Sequence, residues 1–361
     1  MRNNQNVSLR DKIGQMLIVG FDGTSVNEQS PIVKQINACN LGGLILFDYH
    51  FPSKTYDKNI ETPEQVRRLN ADLQQLNMLA NATCGRPLLP LLLAVDYEGG
   101  AVDRLKAQYG FPETIAANLV GKMSDEEAFQ VASTMAKTVK QAGFNLNFAP
   151  VLDVNVNPDN PILGKLGRCF SDNATEVARF GQIYAQTLSE QGVAPAYKHF
   201  PGHGSSESDS HLGFVDVSQT WQKSELEPYR LLLNQSKDCN MIMTAHIINR
   251  QLDDSGLPAT LSYKMLTELL RKELDFEGII ITDDMQMKAI SDQYGLEESL
   301  CLALNAGADM FIFGNQLVDE PQDPTVIIDL IEKNVRSGII AAQRIDEAYA
   351  RIIAFKENLA S

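Results

Sequence analysis

The chain of 361 residues is short of cations, with 31 lysines and arginines against 46 acidic residues. Its formal net charge of −15 excludes nucleic acid and anionic membrane surfaces as main partners, because both require a basic face. No stretch approaches the roughly 20 apolar residues of a membrane span. The apolar run at 16–19 is brief and follows Asp11 and Lys12, so residues 1–20 do not read as a signal peptide. The five cysteines, Cys39, Cys84, Cys169, Cys239 and Cys301, are scattered and show no CxxC spacing. That pattern predicts reduced thiols and a cytoplasmic protein; a secreted chain stripped of its leader would look the same. No Pro/Gly/Ser-rich linker, repeat or low-complexity tract divides the sequence. Residues 1–361 are therefore expected to form a single domain, and nothing in the sequence indicates a cofactor.

What is present is an alternation. Short apolar runs fall at 16–21, 43–47, 91–95, 145–149, 193–197, 241–245, 278–282 and 310–313. Helical patterns lie between them, among others at 62–79, 125–141, 175–191, 224–234, 262–274 and 297–306, with a last one at 342–358. The runs are nearly all apolar instead of alternating, as expected for a parallel sheet buried on both faces. Eight of them separated by helices predict an α/β fold, a single (β/α)8 barrel, with a doubly wound open sheet as the alternative. The polar segment 50–61 reads as a surface loop after the second strand.

In such a barrel the active site sits at the C-terminal ends of the strands. Polar residues end several runs at that point: Asp96, Asp153, Lys198-His199, His246 and Asp283. Asp283, directly after a buried strand, is a candidate nucleophile, base or metal ligand. Its neighbour Asp284 reads as a helix N-cap.

Three of the five histidines, His199, His203 and His211, crowd into thirteen residues, where Pro201, Gly202 and Gly204 specify a loop. Histidine titrates nearest neutrality, so the cluster points to proton transfer or metal binding. The HxxxH spacing of His199 and His203 would suit zinc only on a helix, which Pro201-Gly202 opposes, so no metal is expected. In Asp209-Ser210-His211 an extended backbone would project the carboxylate and the imidazole to one side, leaving a ring nitrogen for proton transfer. Gly99-Gly100 permits a tight turn after the third strand, and Asp96 and Arg104 could then face one polar ligand. The segment lacks the GK[ST] ending of a phosphate loop.

In order along the chain stand Val95-Asp96-x-Glu98-Gly99-Gly100 with Arg104, Asn147-Phe148-Ala149-Pro150-Val151-Leu152-Asp153-Val154, Gly167-Arg168-x-Phe170, Lys198-His199-Phe200-Pro201-Gly202-His203-Gly204, Asp209-Ser210-His211, and Ile281-Thr282-Asp283-Asp284-Met285-x-Met287. This series resembles glycoside hydrolase family 3, in particular its bacterial β-N-acetylglucosaminidases, over nearly the whole chain. The resemblance implies a (β/α)8 barrel and a retaining double displacement on a small carbohydrate. Asp283 would then be the nucleophile, His211 the acid/base with Asp209 as its partner, and Asp96, Arg104, Arg168, Lys198 and His199 the sugar-holding residues. The expected substrate is a peptidoglycan fragment carrying terminal β-GlcNAc, or a chito-oligosaccharide. Tyr97 and Ala101 depart from the Gln and Arg frequent in the family, and the second, sandwich domain of many members is not expected here. A glycoside phosphorylase on the same scaffold and a silent sugar-binding barrel remain as alternatives.

Overall fold

The computed structural model describes residues 7–51, 53–235 and 239–360. Eight parallel strand positions form the centre: β1 (Leu17–Gly20), β2 (Gly43–Ile45), β3 (Leu92–Val95), β4 (Leu146–Asn147), β5 in two halves (Ala194–Pro195 and Tyr197–Phe200), β6 (Met241–Thr244), β7 (Ile279–Asp284) and β8 (Met310–Phe313). Neighbours in sequence are neighbours in space, and β1 pairs with β8, placing Leu17 beside Phe311. The ring closes through β5. Its first half pairs with β4, Ala194 beside Leu146, and its second half pairs with β6, Tyr197 beside Ile242. Only Ala196 separates the halves, so one strand joins both ends of the sheet into a barrel. The expected (β/α)8 architecture is the observed one.

The strands form because their side chains have apolar contacts on both faces. Ile18, Leu44, Leu92, Leu93, Leu146, Ile242, Ile279, Ile280, Ile281 and Phe311 are all fully buried. Helices cover the outside. Asp125–Gln141, expected at those bounds, starts with a reciprocal capping box in which Ser124 accepts from the Glu127 N–H and Glu127 reaches back to Ser124. Pro63–Thr83 begins at the Thr62 cap with Pro63 in the first turn. The expected helix at 262–274 is wound as a π-helix over Lys264–Glu273.

Three expectations need correction. The fifth strand was expected to end at 197 but runs through Lys198 and His199 to Phe200, because carboxylates neutralise those polar side chains where they lie. Asp284 is the last residue of β7 and not a helix cap; its Oδ1 accepts from the Gln286 N–H, and the next helix, Lys288–Ser291, starts at Met287. The segment 50–61 is only partly a surface loop. Lys58, Asn59 and Ile60 are buried, with Lys58 Nζ on Asp22 and the Asn315 carbonyl, and Asn59 Nδ2 donating to the Phe21 carbonyl.

Candidate active site

At the C-terminal end of the barrel a cleft of about 320 Å³ opens. Asp96, Arg104, Arg168, Lys198, His199, Asp209, His211 and Asp283, the eight residues expected from sequence, all line it. A larger cavity of about 580 Å³ lies around the opposite strand ends, near Val193, Ile279 and Phe355, away from these charged groups.

The floor of the cleft is an ion network. After β3 the chain turns through a short hairpin, Tyr97–Gly99 against Val102–Asp103, with Gly99 and Gly100 at φ 95° and 65°. That turn points Glu98 inward. The Arg168 guanidinium clasps Glu98 in a two-pronged pair, 2.8 Å on each side, and Lys198 Nζ lies 2.6 Å from Glu98 and 3.0 Å from Asp96. Burial pushes the Glu98 carboxyl up, but Arg168 and Lys198 outweigh it and hold the group well below the usual carboxylate range. Burial likewise lowers Lys198, yet Asp96 and Glu98 raise it further, so the ammonium is retained. Glu98 stands in the quoted motif without an assigned role; its signal is an acidic residue two positions beyond Asp96, directly before the Gly99-Gly100 turn. Asp48 is a second omission. It ends the β2 run just as Asp96 ends that of β3, it is fully buried, and it binds Lys106 and accepts from the Tyr109 hydroxyl at 3.1 Å. Arg104 stacks 5.6 Å above the Phe47 ring, and its Nε is buried without a protein partner, an unmet donor beside the cleft.

Asp153, after β4, orders the histidine segment. Its Oδ2 accepts from His199 Nδ1 at 2.6 Å and its Oδ1 from the His203 backbone N–H at 2.7 Å. The first bond leaves His199 Nε2 for a ligand. His203 turns its ring nitrogens to Ser206 (2.5 Å) and Ser210 (3.3 Å), so it shares no ligand position with His199. Burial drives the His203 pKa down to about 4, and the imidazole is neutral.

Asp209 and His211 are paired, Oδ1 to Nδ1 at 2.8 Å. The pairing is the expected one but the backbone is not extended. Asp209 Oδ1 also accepts the His211 N–H at 2.8 Å, a tight turn that brings the side chains together. Burial lowers the His211 pKa; the bond to Asp209 and the charge of Asp283 overcome that and raise it above the ordinary value. Across the cleft, burial pushes the Asp283 carboxyl up, but His246, His199, His211 and the Asp284 N–H pull it below the usual range. That N–H donates to Asp283 Oδ1 at 2.8 Å, and the residue lines the cleft. His246, buried under β7, donates from Nε2 to the Asp284 carbonyl at 2.9 Å and braces the strand end. Desolvation, only partly compensated by the Gln286 and Gly314 N–H groups, pushes the Asp284 carboxyl up to about 7.

The site thus holds an ionised carboxylate, an imidazole whose proton affinity is raised by a second carboxylate, and a polar floor of matched charges. The whole fold matches the model of the glycosyl hydrolase family 3 N terminal domain over residues 8–355. The chain is similar to beta-hexosaminidase A of Pseudoalteromonas piscicida, 35% identical over 297 residues covering 76% of this chain and 46% of that protein. It is 30% identical to beta-hexosaminidase LpqI of Mycobacterium tuberculosis over 97% of this chain and 83% of the relative. Among solved structures, the glycoside hydrolase family 3 beta-N-acetylglucosaminidase of Paenibacillus sp. str. FPU-7 superposes with a TM-score of 0.84 at 33% identity, over 98% of this chain and 63% of that one. The chain spans about half the length of the Pseudoalteromonas relative and less than two thirds of the Paenibacillus enzyme. With a match that runs from the first helix to the last, and with a barrel, a cleft and an ion network built from the same motifs, the chain belongs to glycoside hydrolase family 3.

Proposed function

We propose that the protein is a retaining exo-β-N-acetylglucosaminidase that removes terminal β-GlcNAc from peptidoglycan fragments. The observation that carries this reading is the pairing of His211 with Asp209 at the rim of a cleft whose opposite wall presents Asp283. A volume of about 320 Å³ is at the small end of ligand sites and suits one terminal sugar ring. Asp96, Arg168, Lys198 and His199 supply donors and acceptors for its hydroxyls, and the Arg104 guanidinium offers further donors. The names of the relatives, beta-hexosaminidases and beta-N-acetylglucosaminidases, support the N-acetyl sugar.

Retention requires a nucleophile on one face of the sugar and a proton donor at the leaving oxygen. Asp283 Oδ2 attacks the anomeric carbon while the His211 imidazolium donates its Nε2 proton to the departing oxygen. The bond to the leaving group breaks and a glycosyl ester of Asp283 forms. Neutral His211 then takes a proton from water as that water attacks the same carbon. The ester bond breaks, and sugar, carboxylate and imidazolium are restored. Asp209 holds the His211 tautomer through both steps.

The test is Asp283→Ala with a fluorosugar that traps the glycosyl-enzyme. Turnover and covalent labelling are both expected to vanish; labelling that survives removes Asp283 from its role. Hydrolysis of GlcNAc-anhydromuramyl peptide against chitobiose, with and without phosphate, decides the leaving group. A sugar 1-phosphate product would replace hydrolysis with phosphorolysis.

A further inference from the structure

Ser210 stands between the two dyad residues and is 3% exposed, in a surface loop where Leu212 and Phe214 are 74% and 55% exposed. Its hydroxyl lies 3.3 Å from His203 Nε2, and its carbonyl accepts the Ala289 N–H at 3.3 Å. Ala289 belongs to the short helix that follows β7 and Asp283. His203, 2% exposed, is fixed in turn. Its N–H donates to Asp153, the residue that orients His199, and the Asn160 amide donates to its carbonyl at 2.9 Å. A neutral imidazole donates from one nitrogen and accepts at the other, and hydroxyls on either side satisfy both roles.

We propose that His203 and Ser210 form a latch that seats the Asp209–His211 dyad over the cleft, tying it to the sugar-holding strand on one side and to the nucleophile segment on the other. This inference rests on the acid/base reading of His211 given above. Neither latch residue exchanges a proton with substrate; both are positioning residues. The internal bonds of the dyad, from Asp209 Oδ1 to the His211 ring and N–H and from the Leu212 N–H to the Asp209 carbonyl, do not involve the latch. Opening the latch therefore moves the pair as a unit. The His211–Asp209 bond survives while the distance from Nε2 to the leaving oxygen does not, and proton transfer depends steeply on that distance.

The experiment compares Ser210→Ala and His211→Ala on aryl β-N-acetylglucosaminides with good and poor leaving groups, with unfolding midpoints recorded in parallel. Ser210→Ala is expected to lose about tenfold in kcat/KM on poor leaving groups, the size of one lost hydrogen bond, and little on dinitrophenyl substrates. Its alkaline pH limb should remain that of the wild type, because Asp209 still holds the ring. His203→Gln should show the same pattern; should that variant fail to fold, Ser210→Ala, which removes a single hydroxyl, carries the test. Unchanged rates in Ser210→Ala, or an equal loss on both leaving-group classes, overturn the latch while a leaving-group effect in His211→Ala leaves the function intact. Absence of that effect in His211→Ala overturns both.

Discussion

Replacing Asp209 by asparagine tests the dyad through its pH profile. In the proposed mechanism, activity on free substrate requires Asp283 ionised and His211 protonated, so kcat/KM should be bell-shaped. The acid limb should fall below the ordinary carboxylate value of 3.8, and the alkaline limb above the ordinary imidazole value of 6.5. The Asp209→Asn variant keeps an oxygen within reach of the His211 Nδ1–H but loses the negative charge. Burial, which lowers the His211 pKa, is then opposed mainly by Asp283. A hydrogen bond to a charged partner exceeds one to a neutral partner by about 1 kcal/mol. The His211 side chain is 45% exposed and solvent screens the pair, so the loss is smaller, and the alkaline limb should move down by about half a pH unit. The assay is kcat/KM for a phenyl β-N-acetylglucosaminide from about pH 4 to about pH 9. On the acid side, where His211 is protonated in both proteins, the rates should converge. An alkaline limb that stays in place or moves up refutes the assignment of Asp209 as the partner that raises His211.

Glu98→Gln leaves Arg168 without its buried counter-ion, while Lys198 keeps Asp96; a loss of about 3–5 kcal/mol is expected in urea unfolding, with weaker binding of a sugar-lactam inhibitor. Gly314→Ala places a methyl 2.5 Å from Asp284 Oδ2 and 3.3 Å from the Phe47 ring, so kcat should fall well before stability does, read by initial rates beside a melting curve. Lys356, buried with Gln15 Oε1 as its acceptor at 2.7 Å, is pushed down by desolvation to about 7, against 10.5 for the free side chain. Between these values the unfolded chain binds the extra proton, so the lysine makes stability rise with pH by about 1.4 kcal/mol per unit, with no contribution to the slope below about pH 7. Lys356→Met should flatten that rise in urea titrations from about pH 7 to about pH 10; an unchanged slope refutes the buried-amine account.

The fold was legible because eight short, nearly all apolar runs alternate with longer helical patterns, as strands buried on both faces require. The site was legible where a charge ended such a run, as at Asp96 and Asp283. It was less so where charge lay inside an element. Lys198 and His199 look like the start of a loop because Pro201 and Gly202 follow, yet they remain in β5 because Glu98, Asp96 and Asp153 come to them from β3 and β4. Partners that lie some 45 to 100 residues away in sequence leave no local pattern. Asp284 shows the same limit: a carboxylate before a helical stretch matches a cap, and only the turn through Gln286 reveals otherwise. Ser210 carried no signal, since its burial depends on His203 and Ala289.

The double use of β5 bears on how this family member can vary. Its first half answers to β4 and its second to β6, with Ala196 alone between. A single inserted or deleted residue there would shift one half out of register with its partner strand, carrying Lys198 and His199 away from Asp96, Glu98 and Asp153 while also breaking the ring. Length is thus held fixed at the seam by two independent demands, one from each neighbouring strand.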